Sequence, residues 1–244
     1  MAKVNVSQLK DISETLLIPL YSRALLTKGK RPPISDSDTD TVTIVDEIDY
    51  DFTRFKTSKG TLAGIACRTC ILDNIVKEWL VNRPGDIVIK IGVGIDTRAL
   101  RFPQSQWYNI DLPEAIQVRE KLLTTNETNI AQSAFDFSRM DKIPEKENIL
   151  IFSEAAMIFF SSGDINTLLL CALDSIFRNS LFVFKTVLRL AVKNIKINGN
   201  PLKCSDEDLN DIVRPNLQFQ VIGGYMFINY FKKSEIYFSD CLLN

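Results

Sequence analysis

The sequence predicts an α/β fold built on a mostly parallel sheet, and three observations carry that expectation. From residue 86 onward, short β-branched or aromatic runs alternate with helical stretches. The first run, Ile87-Val-Ile-Lys-Ile91, leads into Gly92-Val-Gly-Ile-Asp-Thr-Arg98, a turn with two glycines that opens a helix. The next run, Gln106-Trp-Tyr-Asn-Ile-Asp111, ends in a carboxylate about twenty residues after the turn, the spacing at which α/β sheets place a ribose acceptor.

Residues 7–27 read as one helix, with Leu9, Ile12, Leu16, Leu17 and Leu20 on one side and a kink at Pro19. Lys28-Gly-Lys-Arg-Pro-Pro33 breaks it, and the polar run from Asp36 to Asp40 reads as mobile. Helices near 39–48 and 60–81 follow, the second closed by Asn82-Arg-Pro-Gly85. Strands near 86–91, 106–110, 129–134, 148–153 and 180–185 then alternate with helices near 96–101, 113–124 and 163–177. Asp96 or Thr97 suits the cap of the first of these helices, Pro113 the first turn of the second, and Ser162 or Gly163 the start of the third. Such alternation implies a sheet covered on both faces. A short helix at Asp206 to Val213 and a sixth strand at Leu217 to Ile222 complete the pattern, and Tyr225 to Phe238 is aromatic and β-prone.

The glycine turn limits the ligand. A dinucleotide fingerprint needs a third glycine three residues after Gly94, where this chain has Thr97. A phosphate-cradling loop needs Gly-Lys-Ser/Thr, which is absent. A ligand with a ribose and no pyrophosphate, such as S-adenosylmethionine, fits better. Glycine suits the turn because a Cβ would hold the ligand off the backbone.

Three segments in order, Ile91-Gly-Val-Gly-Ile-Asp-Thr-Arg98, Trp107-Tyr-Asn-Ile-Asp-Leu-Pro113 and Phe152-Ser-Glu-Ala-Ala-Met-Ile-Phe-Phe160, resemble the leucine carboxyl methyltransferase family. The closer likeness is to its bacterial branch of tetracenomycin-type polyketide O-methyltransferases, whose opening helix resembles Ile12-Ser-Glu-Thr-Leu-Leu-Ile-Pro-Leu-Tyr-Ser-Arg-Ala24. The resemblance covers roughly residues 10–185. It implies a class I S-adenosylmethionine-dependent methyltransferase fold: a Rossmann-like, mostly parallel seven-stranded sheet, with Tyr225 to Phe238 a candidate for the antiparallel seventh strand. Residues 1–82 are then an N-terminal helical extension packed on the core as a lid, and 83–244 the core.

The family's cofactor contacts map onto Arg68 for the methionine carboxylate, Gly92 and Gly94 in the turn, Asp111 with Leu112 at the ribose, Asp136 and Phe137 beside the adenine, and Glu154 after the fourth strand. A guanidinium suits a carboxylate through paired N–H donors. Asp136 can accept from the adenine amino group while Phe137 offers an apolar face. Plainer readings stand beside these: Asp111 as a helix cap, Arg68 as a surface residue, Asp136 as the start of a turn. Tyr21, Arg23 and Phe159 are candidates for the acceptor pocket. The chain departs from the family pattern at Lys90, where Asn or Asp is usual, at Ala155 for a glycine, and at Phe159 for a tyrosine. Lys90 has three options: pairing with Asp111, pairing with Glu154, or facing away.

Composition narrows the chemistry. The net charge is −1 with no basic block, which argues against a nucleic-acid groove. No apolar run is long enough to span a bilayer and no signal peptide is seen, so a soluble, cytoplasmic protein, monomeric or homodimeric, is expected. The 5 cysteines include Cys67-Arg-Thr-Cys70, which lies in an apolar helical run and reads as core rather than as a metal or redox motif. The chain has 0 histidines, which removes Ser-His-Asp and Cys-His hydrolases and any histidine base. A carboxylate acceptor needs no base, because it is ionised at neutral pH with a pKa of about 4. The sequence therefore points to methyl esterification of a small-molecule or peptide carboxylate, with no metal and no residue acting as nucleophile. Catalysis would lie in orienting the acceptor. A phenolic polyketide-type acceptor and a non-catalytic S-adenosylmethionine-binding protein are the alternatives.

Overall fold

The computed structural model describes residues 3–29, 38–55, 57–144, 148–173, 180–185, 196–197, 199–204 and 240–243. Two small pairs, β1 (Val4–Asn5) with β2 (Ile48–Asp49) and β8 (Lys196–Ile197) with β9 (Asn200–Pro201), accompany a central six-stranded sheet of β3 (Ile87–Ile91), β4 (Gln106–Asp111), β5 (Thr128–Ala131), β6 (Leu150–Ser153), β7 (Leu181–Lys185) and β10 (Asp240–Leu243), in the order β10-β7-β6-β3-β4-β5. All neighbours in the central sheet run parallel except β10, which is antiparallel to β7. Every residue of β3 is buried, as expected for a central strand with both faces covered. The antiparallel edge thus comes from Asp240–Leu243, beyond the expected Tyr225 to Phe238. That segment, the expected helix at 206–213 and the expected strand at 217–222 lie outside the described residues.

Helices α3 (Lys59–Val81), α4 (Arg98–Arg101), α5 (Pro113–Leu122) and α6 (Ser162–Leu173) fall close to the expected positions. Ser58 caps α3 by accepting the Thr61 N–H at 3.1 Å, and Pro113 occupies the first turn of α5. α6 opens at Ser162, as expected, and Ser161 before it is the cap: its hydroxyl accepts the Asp164 N–H at 3.2 Å while Asp164 accepts the Ser161 N–H at 2.9 Å.

The N-terminal segment corrects the sequence reading twice. The single helix expected over 7–27 is a 3-10 turn at Ser13–Leu16 followed by α1 (Leu17–Lys28). Ser13 both accepts the Lys10 N–H at 3.0 Å and donates to the Lys10 carbonyl at 2.8 Å, and Asp11 sits at φ 51, so the backbone before residue 13 is held in a turn. Pro19 lies in the first turn of α1, where its missing N–H costs nothing, rather than at a mid-helix kink. Of the polar run expected to be mobile, Asp36 and Ser37 lie outside the described residues, while Asp38, just before α2 (Thr39–Glu47), is firmly held. Asp38 is only 1% exposed, 3.5 Å from Arg23 Nη1, and accepts from Thr97 Oγ1 at 2.5 Å. One apolar cluster joins Leu17, Leu20, Ile44 and Val45 to Ile95 and Val118. The N-terminal helices therefore pack directly on the turn after β3. No helix among the described residues is long and apolar enough to cross a membrane.

Candidate cofactor-binding site

The parallel strands end at a cavity of about 380 Å³, within the range for small-molecule sites. Its floor is the end of β3 and the turn after it, its sides are Asp111 and Glu154, and α1 with the turn before it forms an apolar wall of Ile12, Leu16, Ile18, Pro19 and Leu20. Strand order explains the layout. β3 lies between β4, which ends in Asp111, and β6, which leads to Glu154, so the two carboxylates flank the central strand.

On the β4 side, Asp111 is held by backbone. Its Oδ2 accepts the Gly94 N–H at 2.7 Å and its Oδ1 accepts the Leu112 N–H at 2.8 Å. Burial pushes its carboxyl above the ordinary range, and these two N–H groups oppose the shift. Each carboxylate oxygen keeps a second lone pair, so both can still accept a hydroxyl.

The turn itself is tight for a reason the sequence did not show. Gly92 has φ 69, and an added Cβ would lie 2.5 Å from Ala156 Cβ; at Gly94, φ 51, it would lie 3.2 Å from Leu16 Cβ. The glycines are thus required first by the protein's own packing, before any ligand is considered. Asp96 accepts the Arg98 N–H at 2.7 Å and serves the start of α4, whereas Thr97 turns its hydroxyl to Asp38.

On the β6 side, Glu154 is 7% exposed and is surrounded by cations. Arg68 Nε, from the middle of α3, donates to its Oε1 at 2.8 Å; Arg98 Nη1 donates to its Oε2 at 2.6 Å; Lys90 Nζ lies 3.4 Å from the same oxygen. Burial pushes the Glu154 carboxyl up, but Arg98, Arg68 and Lys90 together outweigh it and hold the group well below the usual carboxylate range. Lys90 also pairs with Asp96, and its ammonium stands 5.1 Å from the Phe152 ring centre. Of the options open for Lys90, it therefore takes Glu154, with Asp96 as a partner that sequence reasoning missed.

The cavity brings together Arg68, Gly92, Gly94, Asp111, Leu112 and Glu154, with Arg23, Lys90, Ala155 and Phe159 also on its wall. Tyr21, Asp136 and Phe137 do not line it. Tyr21 stacks on Phe52 at 5.0 Å, and Asp136 is exposed and accepts from Ser138 Oγ at 2.7 Å. Arg23 does line the wall, yet its terminal nitrogens are directed to protein. It bonds the Ile95 carbonyl at 2.9 Å and lies 3.9 Å from Asp96, tying α1 to the turn. Sequence reasoning also missed the supporting ring of Asp38, Asp73 and Arg98. A buried charge run would have been the signal, but these residues are spread over three elements. Asp73 on α3 accepts from Arg98 Nε at 2.7 Å and pairs with Arg101.

The sequence model of the leucine carboxyl methyltransferase family matches residues 8–146. The tetracenomycin polyketide synthesis O-methyltransferase TcmP of Streptomyces glaucescens is 27% identical over 162 residues, which are 64% of this chain and 59% of that protein. The chain thus spans under two thirds of the length of this relative. The plantazolicin methyltransferase BpumL in complex with SAH superposes with a TM-score of 0.52 at 16% identity, over 92% of this chain and 87% of that one. BpumL with a triazolic desmethylPZN analog and SAH gives 0.51 at 17%, over 91% and 86%. These likenesses establish the class I S-adenosylmethionine-dependent methyltransferase fold. With the family's sequence model matching more than half its length, the chain belongs to the leucine carboxyl methyltransferase family.

Proposed function

We propose that this protein is an S-adenosylmethionine-dependent O-methyltransferase that esterifies a carboxylate of a small molecule or peptide. One observation carries the reading: Asp111 and the Arg68–Glu154 pair stand on opposite sides of β3 and open into one cavity walled by the N-terminal helices. The residues present fit the cofactor. Both oxygens of Asp111 have capacity left for a ribose diol. Among the described residues, Arg68 is engaged through Nε alone, which leaves its terminal nitrogens for a carboxylate. Leu112, 38% exposed beside Asp111, offers an apolar surface to the adenine side. S-adenosylmethionine, when bound, supplies a methyl group on a sulfonium that carries its own leaving group.

The chain's task is then binding, orientation and exclusion of water. The helices before residue 82 act as the lid, and Ile12, Leu16 and Ile18 keep the wall dry. No residue acts as nucleophile or base, because the acceptor arrives ionised and the chain has no histidine. Release of S-adenosylhomocysteine from S-adenosylmethionine with a panel of carboxylic acids tests the activity. No turnover with any acceptor, despite tight binding, would leave a cofactor-binding protein without transfer. A phenolic acceptor is the second reading, favoured by the polyketide relative and by the apolar wall. The pH profile separates the two. For a carboxylate, kcat is expected to be nearly flat between about pH 6 and 8.5, with no unperturbed group titrating near 6.5. A tenfold rise per unit through neutrality, with the protein folded throughout, would exclude the carboxylate.

A further inference from the structure

Lys90 is a buried cation on the cavity wall that the proposed reaction does not use. It sits in β3, level with Asn109 of β4 on one side and Phe152 of β6 on the other. A nucleoside held at Asp111 and at Arg68 must therefore span the strand that carries Lys90. We propose that Lys90 determines which form of the cofactor the site prefers, disfavouring the positively charged donor S-adenosylmethionine relative to the uncharged thioether S-adenosylhomocysteine. The inference rests on the reading that the cavity takes these nucleosides.

Two observations support it. The carboxylates near the centre of the cavity are already engaged. Glu154 serves Arg68, Arg98 and Lys90; Asp96 serves Lys90 and Arg98; Asp111 serves two backbone N–H groups. Among the described residues, a sulfonium entering this wall meets no carboxylate without a cationic or N–H partner, whereas a thioether asks for none. The second observation is the pairing of Lys90 itself: its ammonium is held by Asp96 and Glu154, while the charges of Arg98, Arg23 and Arg119 around it work against any further cation there. The charged groups facing it come from every neighbouring element: Arg23 of α1, Arg68 of α3, Asp96 and Arg98 at α4, Asp111 of β4, Arg119 of α5 and Glu154 after β6. Removing the Lys90 charge would leave Asp96 and Glu154 with one counter-charge fewer, and the site would accept a cation more readily.

Titration calorimetry with S-adenosylmethionine, S-adenosylhomocysteine and adenosine tests this on the wild type and on Lys90→Met, which keeps length and removes charge. The wild type is expected to prefer the thioether by about tenfold, the size of a partly screened like-charge contact. Lys90→Met should bring the two ligands close to parity and leave adenosine, which lacks the sulfur-bearing chain, unchanged. A folded variant with the wild-type ratio overturns the proposal. Should Lys90→Met not fold, Lys90→Gln, which is neutral and can still donate to Glu154, carries the same comparison, and a folded Lys90→Gln with the wild-type ratio overturns the proposal equally. Lys90→Arg, which keeps the charge, should keep the preference for the thioether, and parity in that variant would also overturn it. If neither nucleoside binds folded wild-type protein, the cofactor reading itself fails, and that outcome is distinct from an unchanged ratio.

Discussion

The two carboxylates that flank β3 are built in opposite ways. Asp111 is fixed by its own chain, through the N–H groups of Gly94 and Leu112, and burial pushes its carboxyl up. Glu154 is fixed by side chains from α3, β3 and α4, and their charges hold its carboxyl well below the ordinary range. A carboxylate held by backbone keeps lone pairs free for a ligand's hydroxyls. One held by cations is the keystone of a charge cluster, and its loss is felt by the fold before it is felt by a ligand.

The strongest way to break this contrast is Glu154→Gln. The change leaves Arg68, Lys90 and Arg98 around a neutral amide in a buried setting. A buried pair that loses one partner costs about 3–5 kcal/mol. Chemical denaturation should show the free energy of unfolding falling by that amount, read as a lower midpoint with the slope unchanged. A loss below about 1 kcal/mol would mean that solvent already screens the cluster.

Gly92→Ala comes next and strikes the backbone-built side. The new Cβ would meet Ala156 Cβ at 2.5 Å in a residue with φ 69. Overpacking and a left-handed alanine together should cost about 2–4 kcal/mol. Adding Ala156→Gly should restore part of that in a double-mutant cycle. Strict additivity would show that the backbone conformation, and not the contact, sets the cost.

The same contrast explains what the sequence made legible. The sheet, the glycine turn and Asp111 are local patterns: β3, its turn and β4 follow one another, and Asp111 bonds to residues within or next to them. Glu154 could be matched by family resemblance, but its partners lie 86, 64 and 56 residues away, and no periodicity encodes such a meeting. Asp38 shows the cost of reading composition alone. It sits in a polar run that looks mobile, yet it is buried because Arg23 and Thr97, from other elements, need its oxygens. The N-terminal turn was missed for a similar reason: the apolar spacing from Leu9 onward fits a helix, but the Ser13 hydroxyl satisfies the Lys10 backbone first.

Ligand binding gives intermediate effects. Asp111→Ala should weaken S-adenosylhomocysteine by about 1–3 kcal/mol, the cost of ribose hydroxyls left without an acceptor. Calorimetry at wild-type affinity would sink the ribose assignment. Arg68→Ala should weaken S-adenosylhomocysteine more than adenosine, which has no carboxylate, and equal losses would count against that role. A fall in stability is expected as well, because Glu154 then loses its Nε donor.

The smallest effect is in the pH dependence of stability, where the two carboxylates should act with opposite signs. Glu154 has a folded pKa below its unfolded value of about 4.3. Below that unfolded value the unfolded chain binds more protons at this site, so its stabilisation is complete at higher pH and is lost as pH falls through the folded pKa. Asp111 has a folded pKa above its unfolded value of about 3.9. Between those two values the folded chain holds more protons at this site, so Asp111 makes the protein less stable as pH rises through the window, and the penalty is constant above it. Denaturation curves at about pH 3.5 to 7 for wild type, Glu154→Gln and Asp111→Asn separate the two. Relative to wild type, Asp111→Asn should become less destabilising as the pH rises from about 4, and Glu154→Gln should become more so as the pH rises from the acid end. If both differences run in the same direction, the two sides of β3 share one electrostatic environment and the contrast between them fails.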